Sequence, residues 1–133
     1  SVRREVLGTE NKQPTAEELA KMEALVEKAM KEGAVGLSTG LIYVPGTYAK
    51  TEEVVALARV AKKYNGVYAS HIRNEADKVF EAIAEAINIG EQTGIPVEIS
   101  HFKISSKKFW GQTDKTLGLV RAAREKGLPV TID

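Results

Sequence analysis

Apolar positions along the chain follow two spacings, one typical of amphipathic helices and one typical of short buried strands. Four helical segments, each closed by a glycine, precede four short apolar runs. The predicted strands are 34–38, 67–71, 97–101 and 130–133, and the glycines before them are Gly33, Gly66, Gly94 and Gly127. These glycines suit the left-handed conformation that ends a helix. Successive units are roughly 30 residues apart, the length of a βαβ unit.

The first of these helices has the clearest start. Thr15 can cap it, and Glu18 three residues later completes a capping box. Later helices are predicted to begin near Thr51, Asp77 and Thr113. The apolar face of the first helix consists of residues at helical spacing, which are Leu19, Met22, Val26, Ala29 and Met30.

Strands that alternate with helices predict parallel pairing with right-handed crossovers. The fold class is therefore α/β, with four consecutive βα units in 133 residues. Periodicity alone leaves open whether the sheet is the arc of a barrel or a doubly wound open sheet. A complete (β/α)8 barrel takes roughly 250 residues, so the first alternative means a partial barrel.

Composition excludes several classes of protein. Net charge is +1, from 19 basic and 18 acidic residues, so no strong field attracts nucleic acid or an anionic membrane. The absence of cysteine excludes disulfides and thiolate metal sites. No apolar run reaches the roughly 20 residues of a membrane span, and no signal-peptide pattern opens the chain. We expect a cytoplasmic protein, and the opening residues look like a cut point within a longer chain.

The two histidines of the chain occur in matching contexts. His71 and His101 each close a predicted strand, and each stands in a Ser-His-x-basic motif. The carboxyl ends of parallel strands meet at one rim, where α/β proteins carry their chemistry. Neutral imidazole is the commonest metal ligand and suits zinc, so a shared metal ion is the favoured interpretation. An acid–base pair is the alternative. Two ligands are too few for zinc, so the others are expected from outside this segment or from another chain.

Three further residues are candidates for substrate contact. Arg73 and Lys103 lie two positions beyond the histidines, where a cation could bind a substrate carboxylate. The alternative for Arg73 is a salt bridge with Glu75 or Asp77. Tyr43 lies in a long loop after the first strand, and long loops at this rim commonly line the pocket.

Several strings resemble one known family. They are Glu-Gly-Ala-Val-Gly-Leu-Ser-Thr-Gly-Leu-Ile-Tyr-Val-Pro-Gly (32–46), Tyr-Ala-Ser-His-Ile-Arg-Asn-Glu (68–75) and Glu-Ile-Ser-His-Phe-Lys (98–103). They are similar to the D-aminoacylase, or N-acyl-D-amino-acid deacylase, family of the metal-dependent amidohydrolase superfamily. The resemblance extends over nearly the whole chain and keeps the family's order.

The resemblance implies that residues 1–133 are a single segment of a (β/α)8 catalytic domain, comprising strands four to seven. It implies zinc as cofactor, with His71 and His101 as ligands. It also implies that Lys103 binds the free carboxylate of an N-acyl-D-amino acid, that Tyr43 lies near the acyl group, and that Arg73 contributes to substrate binding. In the family, a metal-activated water cleaves the amide.

The chain also departs from the family pattern. It has no His-x-His pair and no cysteine to bridge metals, and Asp133 matches the seventh strand rather than the catalytic aspartate of the eighth. We therefore expect the chain to be inactive alone and to self-associate through open sheet edges. A cyclic-amide hydrolase, such as a dihydroorotase or hydantoinase, is one alternative, although the first strand lacks the lysine usual there. A non-catalytic scaffold or binding module is the other.

Overall fold

The computed structural model describes all residues from Ser1 to Asp133. Four parallel strands form one sheet in the order β1-β2-β3-β4, and they are β1 Gly36–Gly40, β2 Val67–His71, β3 Val97–Ile99 and β4 Val130–Ile132. The helices are α1 Val2–Leu7, α2 Ala16–Lys31, α3 Thr51–Lys63, α4 Val79–Thr93 and α5 Thr113–Glu125. Short 3-10 turns occupy Gly46–Tyr48 and Lys107–Phe109. The predicted succession of four βα units is confirmed.

Helix α2 begins as its sequence predicts. The Glu18 backbone N–H donates to Thr15 Oγ1 at 3.2 Å, and the Thr15 N–H donates to Glu18 Oε2 at 2.8 Å. This reciprocal capping box satisfies two of the backbone donors that a helix start leaves free. Three of the predicted apolar residues are buried beneath the helix, namely Met22, Val26 and Met30.

The glycine prediction is right at three positions and wrong at one. Gly33, Gly94 and Gly127 have φ values of 104°, 70° and 86°. At the end of α3 the left-handed residue is instead Asn65, with φ of 57°. Gly66 is needed for space, because a Cβ there would lie 2.9 Å from the Ala61 carbonyl oxygen. Close contact between helix and sheet, rather than a turn, accounts for this glycine.

Some element boundaries also differ from the prediction. Strand β1 covers 36–40 rather than 34–38, and α4 starts at Val79 rather than near Asp77. Strand β3 ends at Ile99 instead of continuing to His101. The N–H of Ser100 still bonds the Ser70 carbonyl at 3.0 Å, but His101 then turns to a φ of 40°. His101 therefore lies in a turn after the strand rather than within it.

The helices cover one face of the sheet. On that face the side chains are almost fully buried, and they include Tyr68, Ser70, Val97, Ile99 and Val130. The tight fit is visible at Gly90 of α4, where a Cβ would approach Val97 Cγ2 to 2.6 Å. Alternate residues point the other way, and among them Ser38, Val67 and Thr131 are exposed. The chain thus forms an arc of a (β/α) barrel with an open inner face. No helix combines the length and apolar character required to cross a membrane.

Candidate metal centre

Three potential metal-binding side chains converge at the carboxyl ends of β2 and β3. His71 is the last residue of β2, His101 follows β3 by two residues, and Glu75 lies in the loop between β2 and α4. One donor atom from each falls within 4.8 Å of the other two. Thus the predicted approach of the two histidines is confirmed, and a carboxylate joins them.

The distances describe a compact cluster. His101 Nδ1 lies 3.0 Å from Glu75 Oε1, His71 Nε2 lies 3.5 Å from the same oxygen, and the two imidazole centroids are 4.4 Å apart. His71 Nε2 is sealed from solvent and has no hydrogen-bond partner, because 3.5 Å to Glu75 is too long for a good hydrogen bond. A buried polar atom without a partner is costly, and a cation between these side chains would supply one.

The donor set fits zinc. Two imidazole nitrogens and one carboxylate oxygen are ligands that zinc takes in catalytic sites, with the fourth position open to water. From sequence, the remaining ligands are expected outside this segment or on another chain, whereas the structure brings a third donor, Glu75, from within it. The sequence suggests Glu75 only as a salt-bridge partner for Arg73. Its four-residue spacing from His71 was the available signal, but a loop of unknown shape gives that spacing little meaning.

Local hydrogen bonds hold Glu75 in place. The Asn74 side-chain oxygen accepts the backbone N–H groups of Ala76 at 2.8 Å and Lys78 at 3.0 Å, which forms a tight turn leading into α4. The Glu75 carbonyl accepts the Ser105 N–H at 2.7 Å. The Glu75 side chain is only 13% exposed. These contacts fix the carboxylate between the two imidazoles.

Lys103 is part of the same cluster. Its Nζ lies 2.7 Å from Glu75 Oε1 and 2.9 Å from His101 Nδ1, and it also donates to the His101 carbonyl at 3.2 Å. The side chain remains 47% exposed, so the ammonium reaches the centre from the solvent side. Lys103 is thus close enough to the metal donors to bind a group presented to them, and its contact with a substrate carboxylate stays a prediction.

Arg73 lies in a different environment. Its guanidinium donates to both oxygens of Glu85 on α4 at 2.8 Å each, to the Thr47 carbonyl at 3.0 Å and to the Ala49 carbonyl at 2.8 Å. The hydrogen-bonded Glu85 carboxylate raises the pKa of Arg73 above its ordinary value. The predicted alternative, a salt bridge from Arg73 to Glu75 or Asp77, is wrong about the partner, because Arg73 pairs with Glu85. The role of Arg73 in substrate binding stays a prediction, and these bonds occupy most of its donors.

Tyr43 lies beside the cluster. Its ring centroid is 4.9 Å from that of His71, and its side chain is largely exposed. A cavity of about 500 Å³ runs along the free edge of β1, and Tyr43 is among its lining residues together with Leu37 and Val44. Tyr43 therefore separates this largely apolar space from the imidazoles. Contact between Tyr43 and an acyl group stays a prediction.

Beneath His71, hydroxyl groups on the buried face support β2. The Tyr68 hydroxyl lies 2.9 Å from Thr39 Oγ1 and 3.2 Å from Ser70 Oγ. Burial raises the pKa of Tyr68, so its hydroxyl stays protonated and hydrogen-bonded. On the other side of the centre, the His101 N–H donates to the Asp133 carboxylate, which holds the turn that carries His101. The sequence does not predict this role for Asp133.

Comparison with known proteins gives a consistent result. No protein-family model matches the chain. It is 40% identical over 109 residues to a D-aminoacylase from Alcaligenes xylosoxydans xylosoxydans, which covers 82% of this chain and 22% of that protein. It is 41% identical over 121 residues to an N-acyl-D-glutamate deacylase from the same organism, covering 91% and 25%.

Solved structures agree with these relatives. N-acyl-D-glutamate deacylase from Bordetella bronchiseptica, complexed with zinc and a phosphonate inhibitor, superposes with a TM-score of 0.94 at 40% identity, covering 99% of this chain and 28% of that one. A D-aminoacylase described as defining a subset of amidohydrolases gives 0.93 at 36% identity with the same coverage. Another D-aminoacylase structure concerns a binuclear metal centre.

The fold of this chain matches a segment of solved amidohydrolase structures. More narrowly, it is homologous to a segment of D-aminoacylase and N-acyl-D-glutamate deacylase, which confirms the resemblance predicted from sequence. The chain spans about a quarter of the length of the curated relatives it matches, at 22% and 25%.

Proposed function

We propose that this chain carries part of the catalytic metal centre of a zinc-dependent amidohydrolase that cleaves the amide of N-acyl-D-amino acids. In this proposal β1 to β4 are strands four to seven of a (β/α)8 barrel. The observation that carries it is the convergence of His71, Glu75 and His101 around a buried, unpartnered imidazole nitrogen. The printed names of the homologues supply the substrate class.

Each residue of the centre has a distinct task in this proposal. His71 at the end of β2 and His101 in the turn after β3 provide imidazole nitrogens, and Glu75 adds the negative charge that favours a cation. Zinc, when bound, supplies Lewis acidity and lowers the pKa of a coordinated water. Lys103 binds the substrate carboxylate at the rim, and the ring of Tyr43 confines the acyl group beside His71. Positioning of this kind aligns the amide with the attacking water.

We further propose that the 133 residues alone do not hydrolyse amides. The sequence contains only two histidines and no cysteine, so it lacks both the His-x-His pair and the bridging thiolate that the family resemblance implies. A single mononuclear centre with an open inner face also leaves the substrate exposed to solvent. Binding of the metal is therefore the property to measure on this chain.

Isothermal calorimetry with zinc tests the proposal. The wild-type chain is expected to bind one zinc ion, and the His71→Ala/His101→Ala variant, which removes every imidazole of the protein, is expected to bind none. A Glu17→Gln variant on the exposed face of α2 serves as control for nonspecific binding to carboxylates and is expected to match wild type. Equal and negligible uptake by wild type and the double variant would favour a non-catalytic scaffold.

We also propose that two copies of the chain associate through the free edges of β1 and β4. Each of these strands pairs on one side only, and Val35 next to β1 is 83% exposed. Unpaired strand edges readily add further strands. Sedimentation velocity should detect a concentration-dependent dimer that Val35→Lys weakens and Ala122→Lys on α5 leaves unchanged. A monomer at all concentrations would contradict this part.

A further inference from the structure

The Tyr43 ring lies beside His71 although the middle of its loop is exposed. The Tyr43 side chain is 61% exposed, and its neighbours Ile42 and Val44 are exposed as well. An exposed ring buries little apolar surface, so packing alone does not hold it in place. Its centroid is nevertheless 4.9 Å from that of His71, and a Cβ at Gly40 would approach Tyr43 Cδ2 to 3.1 Å. Contacts made by the rest of the loop must therefore fix the direction of the ring.

The second half of that loop is bonded to Arg73, which follows β2. Arg73 Nη1 donates to the Thr47 carbonyl at 3.0 Å, and Nη2 donates to the Ala49 carbonyl at 2.8 Å. The Thr47 N–H in turn donates to the Tyr43 carbonyl at 2.8 Å. A path of hydrogen bonds thus runs from the guanidinium through the backbone of Thr47 to the backbone of Tyr43.

Helix α4 fixes the guanidinium itself. The Glu85 carboxylate accepts from Arg73 Nε and Nη2 at 2.8 Å each, in the two-pronged geometry that orients a guanidinium. Glu85 Oε1 also accepts the hydroxyl of Thr51, the first residue of α3, at 2.8 Å. The side chains of Arg73 and Glu85 are both mostly shielded from solvent, so water competes little with these bonds. One carboxylate therefore ties the loop to two helices.

His71 and Arg73 hold the two ends of the same loop. At its start, the Leu41 N–H donates to the His71 carbonyl at 3.0 Å. At its end, the Ala49 carbonyl accepts from Arg73. Leu41 and Ala49 are both buried, so the exposed part of the loop is carried between two fixed ends. The segment that provides the metal donor His71 therefore also determines where Tyr43 stands.

We propose that Arg73 is a positioning residue of the candidate site: through the Thr47 carbonyl it holds the Tyr43 ring against His71. The inference rests on the proposed function, in which that ring confines the acyl group, and it gives Arg73 a part in substrate binding without contact with the substrate. Loss of the guanidinium frees the loop carbonyls, and the exposed ring then moves away from His71. The donor cluster receives no bond from Arg73, so zinc affinity is expected to stay unchanged.

Nuclear Overhauser effects between the ring protons of Tyr43 and His71 test the inference, because they report directly on the proximity of the two rings. The variant is Arg73→Met, with Arg59→Met on the exposed face of α3 as matched control. We expect the Tyr43–His71 effect to be lost in Arg73→Met and to keep its wild-type intensity in Arg59→Met. Calorimetry is expected to give the same zinc affinity for all three proteins.

A second variant decides the question if Arg73→Met does not fold. Arg73→Lys retains a positive charge beside Glu85, but one ammonium cannot reproduce the planar fork that reaches the carboxylate and both loop carbonyls. We expect a folded protein in which the Tyr43–His71 effect is strongly reduced. A cation that only stabilises the fold through its charge would leave the effect unchanged in Arg73→Lys.

The outcomes separate this inference from the proposed function. A Tyr43–His71 effect that is absent in wild type, or that keeps its intensity in a folded Arg73→Met or Arg73→Lys protein, overturns the positioning role. An equal loss in Arg59→Met overturns it too, because the change would then not be specific to Arg73. Absence of zinc binding in wild type refutes the metal centre, whereas the ring protons still decide whether Arg73 places Tyr43.

Discussion

Arg73 and Lys103 occupy equivalent places in the sequence and different places in the molecule. Each stands two residues after a histidine in a Ser-His-x-basic motif at the end of a strand. Arg73 makes four hydrogen bonds to Glu85 and to loop carbonyls, and so ties the loop after β1 to α4. Lys103 contacts Glu75 and His101 in the candidate metal centre. Arg73 thus bonds to surrounding structural elements, whereas Lys103 contacts two of the potential metal donors.

The difference arises in the backbone before each cation. Strand β2 stays regular through His71, whereas β3 ends at Ile99 and His101 turns to a φ of 40°. That turn is held by the Asp133 carboxylate, and the Lys103 ammonium that follows it contacts Glu75 and His101. The same short motif therefore stands in two different backbone conformations, and its cation has different partners in each.

Substituting methionine for each cation should give the largest difference between the two regions, measured as the change in the free energy of unfolding. Arg73→Met leaves Glu85 with only the Thr51 hydroxyl as a hydrogen-bond partner and removes a donor from two loop carbonyls in a half-buried setting, so we expect the free energy of unfolding to fall by about 2–3 kcal/mol. The Lys103 side chain is 47% exposed, and we expect Lys103→Met to change stability by less than about 0.5 kcal/mol. Urea denaturation measures both. An equal fall in the free energy of unfolding for both variants would show that Arg73 and Lys103 contribute equally to stability.

Substituting the glutamate that each cation contacts should also distinguish the two regions, and the quantity to compare is zinc affinity. Glu75→Gln removes the negative donor of the cluster, and we expect zinc affinity to fall roughly tenfold or more. Glu85→Gln weakens the bonds to Arg73 and Thr51, neither of which belongs to the donor cluster, so zinc affinity should stay at the wild-type value. Calorimetry on the two folded variants provides the comparison. A loss of affinity in Glu85→Gln would mean that the Arg73 region also shapes the metal centre.

The smallest expected effect is on stability, and it tests the difference in backbone conformation between positions 71 and 101. At position 101 the left-handed conformation is strained for alanine, so His101→Gly should be more stable than His101→Ala by about 0.5–1 kcal/mol. At position 71, inside a regular strand, glycine costs backbone entropy, and His71→Gly should be less stable than His71→Ala by about the same amount. Thermal unfolding of the four variants measures the differences. The same sign at both positions would contradict the distinct turn at His101.

Much of the fold could be predicted because its determinants are local. The capping box of Thr15 and Glu18 and the helical spacing of Met22, Val26 and Met30 place α2 without knowledge of any other element. The glycine at position 66 was misinterpreted, since its cause is the nearby Ala61 carbonyl rather than its own backbone conformation. Contacts between elements leave only an indirect trace in the sequence.

The candidate site was predicted in part for the same reason. His71 and His101 were found because strand ends in a parallel sheet share one rim, a rule that needs only the strand order. Glu75 was not predicted, because the orientation of its side chain depends on the turn that the Asn74 side chain makes with Ala76 and Lys78. Likewise, the Glu85 partner of Arg73 comes from the following helix, and only the packing of α4 brings it into reach.

The bond from the Ser105 N–H to the Glu75 carbonyl, at 2.7 Å, uses main-chain atoms alone. Any residue except proline can make it, so this support for Glu75 does not depend on which side chain stands at position 105. A substitution there can therefore alter the surface beside the cluster while the main-chain tether of Glu75 is kept.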